Sequence, residues 1–253
     1  AGILKYDNKS NESSLKYVIF GAFATGIMLY GMSWLYGFSG SLNFYQINVS
    51  LQNLEDPFIV YMAVVMILAG IGYKIAMAPF HYWSPDVYEG APTTMTAYFS
   101  VAPKAAGFAL MARFFYVSFT DYSGASPLGV SNVDWMTIVA ILSAATMTVG
   151  NILALRQTNV KRMLAYSSIA HAGYMLMALS VATDTALISV MFYLFTYMFM
   201  NLGAFFVLIY ANNVLNVETI KDFNGFGSKS PFLAGCMVLF LLSLTGLPPT
   251  SGF

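Results

Sequence analysis

The chain has 253 residues, of which 58% are apolar and only 9% charged, against about 25% charged in an ordinary soluble domain. Its eleven basic and eleven acidic residues leave no net charge, so neither a basic nucleic-acid-binding face nor an electrostatic tail is indicated. With Cys236 as its one cysteine, the chain has no internal disulfide, and the apolar run around that residue predicts a small buried thiol.

Seven apolar segments follow one another, at 17–36, 57–78, 94–119, 135–155, 164–182, 185–211 and 231–247, each close to the ~20 residues that cross a hydrocarbon core. None alternates with the two-residue period of a barrel strand, and helices satisfy their own backbone in lipid. The fold class is therefore all-α, a polytopic membrane helix bundle forming a single domain over 1–253. In the first segment Ala22 and Gly26 make a small-xxx-small pair that predicts close approach of a neighbouring helix.

The second segment runs into GIGYKIAMAPFHYWSPDVYEGAPTT, where Pro79, Pro85 and Pro92 interrupt the helix. His81 is seven residues beyond Lys74, two turns on and nearly on the same face. Irregular backbone at membrane depth is tolerated where it is packed in protein or lines a wet cavity, the setting a proton path needs. For His81, a satisfied structural role and a relay role both stand. Asp86 and Glu89 read as capping or pairing groups at the cytoplasmic rim.

In the third segment Lys104 lies about ten residues in, or ~15 Å deep at 1.5 Å per residue, beyond the reach of its stem. An ammonium there costs about 2.5–3.5 kcal/mol on insertion scales, so it predicts a polar cavity, a partner or a neutral amine. Arg113, near the outer end, snorkels to the interface. Further on, TNVKRMLAYSSIAHAGYMLM places Lys161 and Arg162 at the inner mouth as anchors. His171 is well inside its helix, with Ser167, Ser168 and Tyr174 within one turn; proton relay and helix–helix hydrogen bonding are the two readings. The last segment breaks at LTGLPPTSGF, and two separated broken helices are the pattern of an inverted-repeat transporter.

The basic residues also set an orientation. With the N-terminal segment cytoplasmic, Lys5, Lys9, Lys16, Arg156, Lys161, Arg162, Lys221 and Lys229 all fall inside, and the outside loops carry Glu55, Asp56, Asp121 and Asp184 instead.

The strings KIAMAPFHYWSPDVYEGAPT, TNVKRMLAYSSIAHAGY and LLSLTGLPPTSGF resemble the antiporter-like, proton-translocating membrane subunits of respiratory complex I, and DVYEGAPT with NLGAF points to the subunit N branch of bacterial NADH:quinone oxidoreductase. The resemblance covers essentially the whole chain. It implies that Lys74 and Lys104 form a central proton relay and that His81 matches the family histidine on the same broken helix. Lys16 matches a lysine that pairs with a glutamate on the preceding helix. No such glutamate precedes Lys16 here, and Glu12 is a poor substitute so near the polar start, which suggests a partial chain.

The expected function is proton translocation in the bacterial inner membrane, with Lys16, Lys74, Lys104, His81 and His171 as the working residues. Neither a cysteine cluster for iron and sulfur nor a glycine-rich phosphate loop is present. No cofactor or metal is expected in this chain. The resemblance places NADH, flavin, iron-sulfur clusters and quinone in partner subunits, with other membrane-arm subunits and the bilayer as neighbours. A sodium/proton antiporter subunit or a related hydrogenase membrane subunit is the alternative, although no Asp or Glu lies at mid-membrane in any segment. A non-pumping scaffold subunit is an alternative of another class.

Overall fold

The first long helix, α1 (Asn8–Ser39), begins where the Asp7 carboxylate accepts from the Lys9 N–H and stops at Gly40, whose left-handed backbone (φ 68°) donates back to Tyr36 O. The computed structural model describes residues 7–52, 57–120, 133–215 and 217–252. Lys5, Glu55, Asp56 and Asp121 of the charge pattern lie outside them. After α1 come α2 (Phe44–Gln52), α3 (Phe58–Ile75), α4 (Trp83–Gly90), α5 (Thr93–Phe119), α6 (Trp135–Ala154), α7 (Val160–Leu179) and α8 (Asp184–Leu215). A 3-10 turn (Ile220–Phe223), α9 (Phe226–Lys229) and α10 (Pro231–Leu244) complete the chain. The all-helical class is as read, with no strand among the described residues.

On length and composition α1, α3, α6 and α8 qualify as membrane-crossing helices. At 27 and 20 residues α5 and α7 have the length but carry polar side chains inward. Hydropathy gave no sign of α2, because its 9 residues are too few to cross; it buries Ile47 and Leu51 in the outer core.

Close helix approach uses other small residues than those expected. The Ala22–Gly26 pair faces outward, and a Cβ on Gly26 would meet nothing within 4 Å. The face of α1 that meets α3 carries Ala24, Met28 and Gly31 instead, one to two turns apart, and a Cβ on Gly31 would sit 2.8 Å from Ala63 O. Between α6 and α7, a Cβ on Gly150 would lie 2.6 Å from the Ala170 nitrogen, and one on Gly173 would lie 2.8 Å from the Met147 nitrogen. Those two helices therefore touch backbone to backbone. Cys236 is half-buried rather than enclosed, since α10 packs against α8 on one side only.

The first broken helix shows where its freed backbone groups go. At Ala76 the backbone turns left-handed (φ 59°, ψ 43°) and ends α3. The Met77 N–H donates to Gly72 O at 2.8 Å, the Ala78 N–H to Thr146 Oγ1 at 3.0 Å, and Trp83 Nε1 to Tyr73 O at 2.8 Å. Side chains of α4 and α6 thus replace the missing helical bonds, as apolar surroundings demand. In the second break, α10 ends at Leu244, Gly246 is left-handed (φ 73°), and Thr250 N–H donates to Leu247 O at 2.9 Å.

The apolar interior divides into two cores. One holds Ile75, Phe108, Met111, Ala172 and Met175; the other holds Ala76, Ala97, Phe99, Ala165 and Ile169. Along α5 and α7 the changeover falls between residues 99 and 108 and between 169 and 172, and α3 breaks at the same level. A polar layer occupies that seam. At the end where α7 begins, two backbone bonds, Val160 N–H to Glu218 O at 3.2 Å and Ile220 N–H to Thr158 O at 2.9 Å, join the α6–α7 loop to the loop after α8.

Candidate functional site

Lys104 and His171 are each eleven residues past the first residue of their helices, Thr93 and Val160 (104 − 93 and 171 − 160). At 1.5 Å per residue both are about 16 Å deep, in the seam. Lys104 is 1% exposed, and its Nζ donates to the Ser168 carbonyl at 2.7 Å and to Ser168 Oγ at 2.8 Å. The Ser168 hydroxyl is already committed, donating to Ala165 O at 2.7 Å. No carboxylate pairs with Lys104 among the described residues. Its support is therefore neutral oxygen, which holds an ammonium while leaving its charge uncompensated.

On α7, His171 follows Ser168 by three positions and so shares its face. Its Nδ1 lies 2.6 Å from Tyr193 Oη of α8, and Tyr174 and Tyr197 pack against its ring. Beside it, Ser167, Tyr174 and Tyr193 line a cavity of about 710 Å³ that reaches the second break at Thr245 and Gly246. Tyr88 of α4 comes to 3.5 Å from Ser168 Oγ. The hydroxyl of Tyr197, Oγ of Ser84 and Nδ1 of His81 are buried, and none makes a hydrogen bond of ordinary geometry among the described residues.

Of the expected residues, the structure brings Lys74 and Lys104 onto adjoining helices. A Cβ placed on Gly107, three residues beyond Lys104, would lie 3.7 Å from Lys74 Cβ. Lys74 itself is exposed on the surface of this chain, whereas His81 is 4% exposed. The expectation that these two share a helical face is incorrect, because α3 stops at Ile75 and the left-handed Ala76 redirects the chain before α4. His81 stacks on Tyr82, with ring centroids 4.4 Å apart.

Lys16 belongs to a separate charged layer at the end of the bundle where α1 begins. It lies 2.6 Å from Glu12, one turn back on α1, and 2.7 Å from Asp86 of α4. Glu12, set aside as a poor substitute on sequence grounds, is thus a direct partner. Asp86 also meets Arg162 of α7 at 2.7 Å, and Arg162 meets Glu89 at 3.0 Å. Asp86 and Glu89 pair at this rim as expected. Lys161 Nζ donates to the carbonyls of Glu89 and Ala91, at 3.4 and 3.3 Å, closing the C-terminus of α4. Arg113 is exposed, as a snorkelling side chain is.

Sequence reasoning missed four groups. Asp86 as a partner of Lys16, Tyr88 beside Ser168, Tyr193 on His171, and the buried pair in which Asn201 Nδ2 donates to Ser100 Oγ at 2.6 Å all join different helices, 22 to 101 positions apart. No local signal marks them. No group of three or more His, Cys, Asp or Glu that could hold a metal occurs among the described residues.

A family model described as NADH:quinone oxidoreductase/Mrp antiporter, transmembrane, matches residues 1–253. The NADH-quinone oxidoreductase subunit N 2 of Sorangium cellulosum is 51% identical over 259 residues, which covers 100% of this chain and 51% of that protein. The chain spans about half the length of the curated relatives it matches. Among solved structures, respiratory complex I from Thermus thermophilus with bound Aureothin contains a chain with a TM-score of 0.77 and 35% identity, covering 98% of this chain and 51% of that one. The archaeal membrane-bound sulfane sulfur reductase contains one with a TM-score of 0.84 and 28% identity, covering 96% of this chain and 48% of that one. With a family model matched over its full length, this chain belongs to the NADH:quinone oxidoreductase/Mrp antiporter transmembrane family.

Proposed function

We propose that this chain moves protons across the membrane as part of an NADH-quinone oxidoreductase, with Lys104 as the group that loads and releases the proton. The observation that carries this reading is the setting of Lys104. It is fully enclosed, supported by two oxygens of Ser168, free of any carboxylate among the described residues, and on the same side of α7 as His171. A lysine without a fixed counter-ion can exist in both protonation states, and nearby charge decides between them.

In this reading Lys74 exchanges protons with Lys104 across the α3–α5 contact. His171 and His81 relay through hydroxyls and ordered water, and Lys16 modulates from the inner end, which faces the cytoplasm. Electron transfer, with NADH, flavin, iron-sulfur clusters and quinone, belongs to partner subunits of the membrane-bound complex. The test is proton uptake by vesicles carrying the assembled complex with Lys104→Ala or Lys104→Arg. The alanine variant assembles, because a costly buried charge is gone, but pumps poorly. The arginine variant also pumps poorly, because guanidinium keeps its proton at any accessible pH. Wild-type pumping by the arginine variant overturns the proposal.

A further inference from the structure

Six side chains at the inner end form one alternating series across three helices: Glu12, Lys16, Asp86, Arg162, Glu89 and Lys9. Successive contacts measure 2.6, 2.7, 2.7, 3.0 and 3.3 Å. The series leaves α1 at Lys16, crosses α4 at Asp86 to reach α7 at Arg162, and returns through Glu89 to α1 at Lys9. It surrounds a cavity of about 160 Å³. Isolated surface ion pairs contribute little, but charges that share partners in a network are the exception. The middle four side chains are only 23–35% exposed.

Asp86 is the middle acceptor. Its Oδ2 takes Lys16 and its Oδ1 takes Arg162, so one carboxylate ties the lysine on α1 to the helix that supports Lys104. Arg162 lies six residues before Ser168 on that helix. Two residues beyond Asp86 on α4, Tyr88 reaches Ser168 itself. Lys16 contacts Glu12 at the same time, and a move from Asp86 toward Glu12 changes the charge left facing Arg162.

We infer that Asp86 is a positioning residue for proton translocation, the counter-ion of Lys16 on α4 through which the state of Lys16 reaches α7 and the Ser168 support of Lys104. The inference rests on the proposed pumping role and adds a residue to it. The groups facing Asp86 are Lys16 and Glu12 from α1, Arg162 from α7, and Glu89 from its own helix.

The experiment is a double-mutant cycle in the assembled complex, with complex abundance and proton uptake measured for Asp86→Asn, Asp86→Glu, Lys16→Ala and the Asp86→Asn/Lys16→Ala pair. Asp86→Asn is expected to lower pumping roughly five- to tenfold at normal abundance, the low end of coupling between linked sites. Asp86→Glu restores most of it, and Asp86→Asn adds no further loss once Lys16 is alanine. Pumping at the wild-type level in Asp86→Asn overturns the inference. So does a further loss in the double variant, which would make Asp86 a brace for Arg162 alone. If Asp86→Asn fails to assemble, the charge-balanced double variant must recover assembly, and its failure to do so also overturns the inference. Normal pumping in Lys104→Ala is a separate result, and it would overturn the pumping role itself.

Discussion

Gly150→Ala tests the backbone contact on which the lysine site depends. The added Cβ would lie 2.6 Å from the Ala170 nitrogen and 2.9 Å from its Cα, where ordinary contact begins at 3.4 Å. Helices α6 and α7 must therefore separate by about 3.4 − 2.6 = 0.8 Å. Overpacking costs about 1–3 kcal/mol, and a backbone neighbour cannot rotate aside, so the upper half of that range applies. Alanine returns about 0.5–1 kcal/mol of helix propensity, leaving a net loss of about 2 kcal/mol. At 3.6 residues per turn Ala170 lies on nearly the opposite face of α7 from Ser168, so a shift of α7 away from α6 disturbs the 2.7 Å Lys104–Ser168 carbonyl bond on that far face. The assay is the thermal midpoint and abundance of the solubilised complex together with proton uptake, and both should fall. Ala170→Gly should not rescue, because the nearest atoms are backbone. By contrast, the atoms nearest a Cβ on Gly70 belong to the Met28 side chain, its own Cβ at 2.4 Å among them, so Met28→Gly, which removes that Cβ, should relieve Gly70→Ala where Met28→Ala should not. Unchanged stability and pumping in Gly150→Ala, or rescue by Ala170→Gly, would refute the backbone-contact argument.

Thr146→Val removes the acceptor of the Ala78 N–H while keeping its shape, and should cost about 1–3 kcal/mol of stability, read as a lower thermal midpoint. His171→Gln keeps polarity but cannot titrate near neutral pH; lost pumping in an intact complex is expected, and unchanged pumping would assign His171 to hydrogen bonding with Tyr193 alone. Reporter fusions at Gln157 and Thr183 should read cytoplasmic and periplasmic respectively, and a common side for both would remove the orientation set by the lysines and arginines.

How far the sequence can be read is shown by single residues. Lys104 stood out because depth along a helix is a one-dimensional property, counted directly from the chain. Its acceptor did not, because Ser168 is 64 positions away and nothing local records which helices become neighbours. Ser168 was visible only as a hydroxyl near His171. The same limit hid Asp86 from Lys16, 70 positions apart. Prolines located the first break correctly, yet the i, i+7 argument linking Lys74 to His81 assumed a continuous helix and failed at Ala76. The Ala22–Gly26 pair failed for another reason: small residues permit close approach, but which face is used depends on the partner, and α3 meets the face of Ala24 and Gly31. The role of Lys16 came from family resemblance alone, and the geometry adds Glu12 and Asp86 as its neighbours.

The two backbone bonds between the loops at Val160 and Ile220 carry a consequence of a different kind. Because main-chain atoms make them, they ask almost nothing of the side chains they join, and substitutions on either loop can accumulate without loosening the tie. Only proline at Val160 or Ile220 removes a donor outright. The mouth of α7 is thus anchored by a device nearly independent of residue identity, leaving Arg162 and Lys161 beside it free to be selected for charge alone.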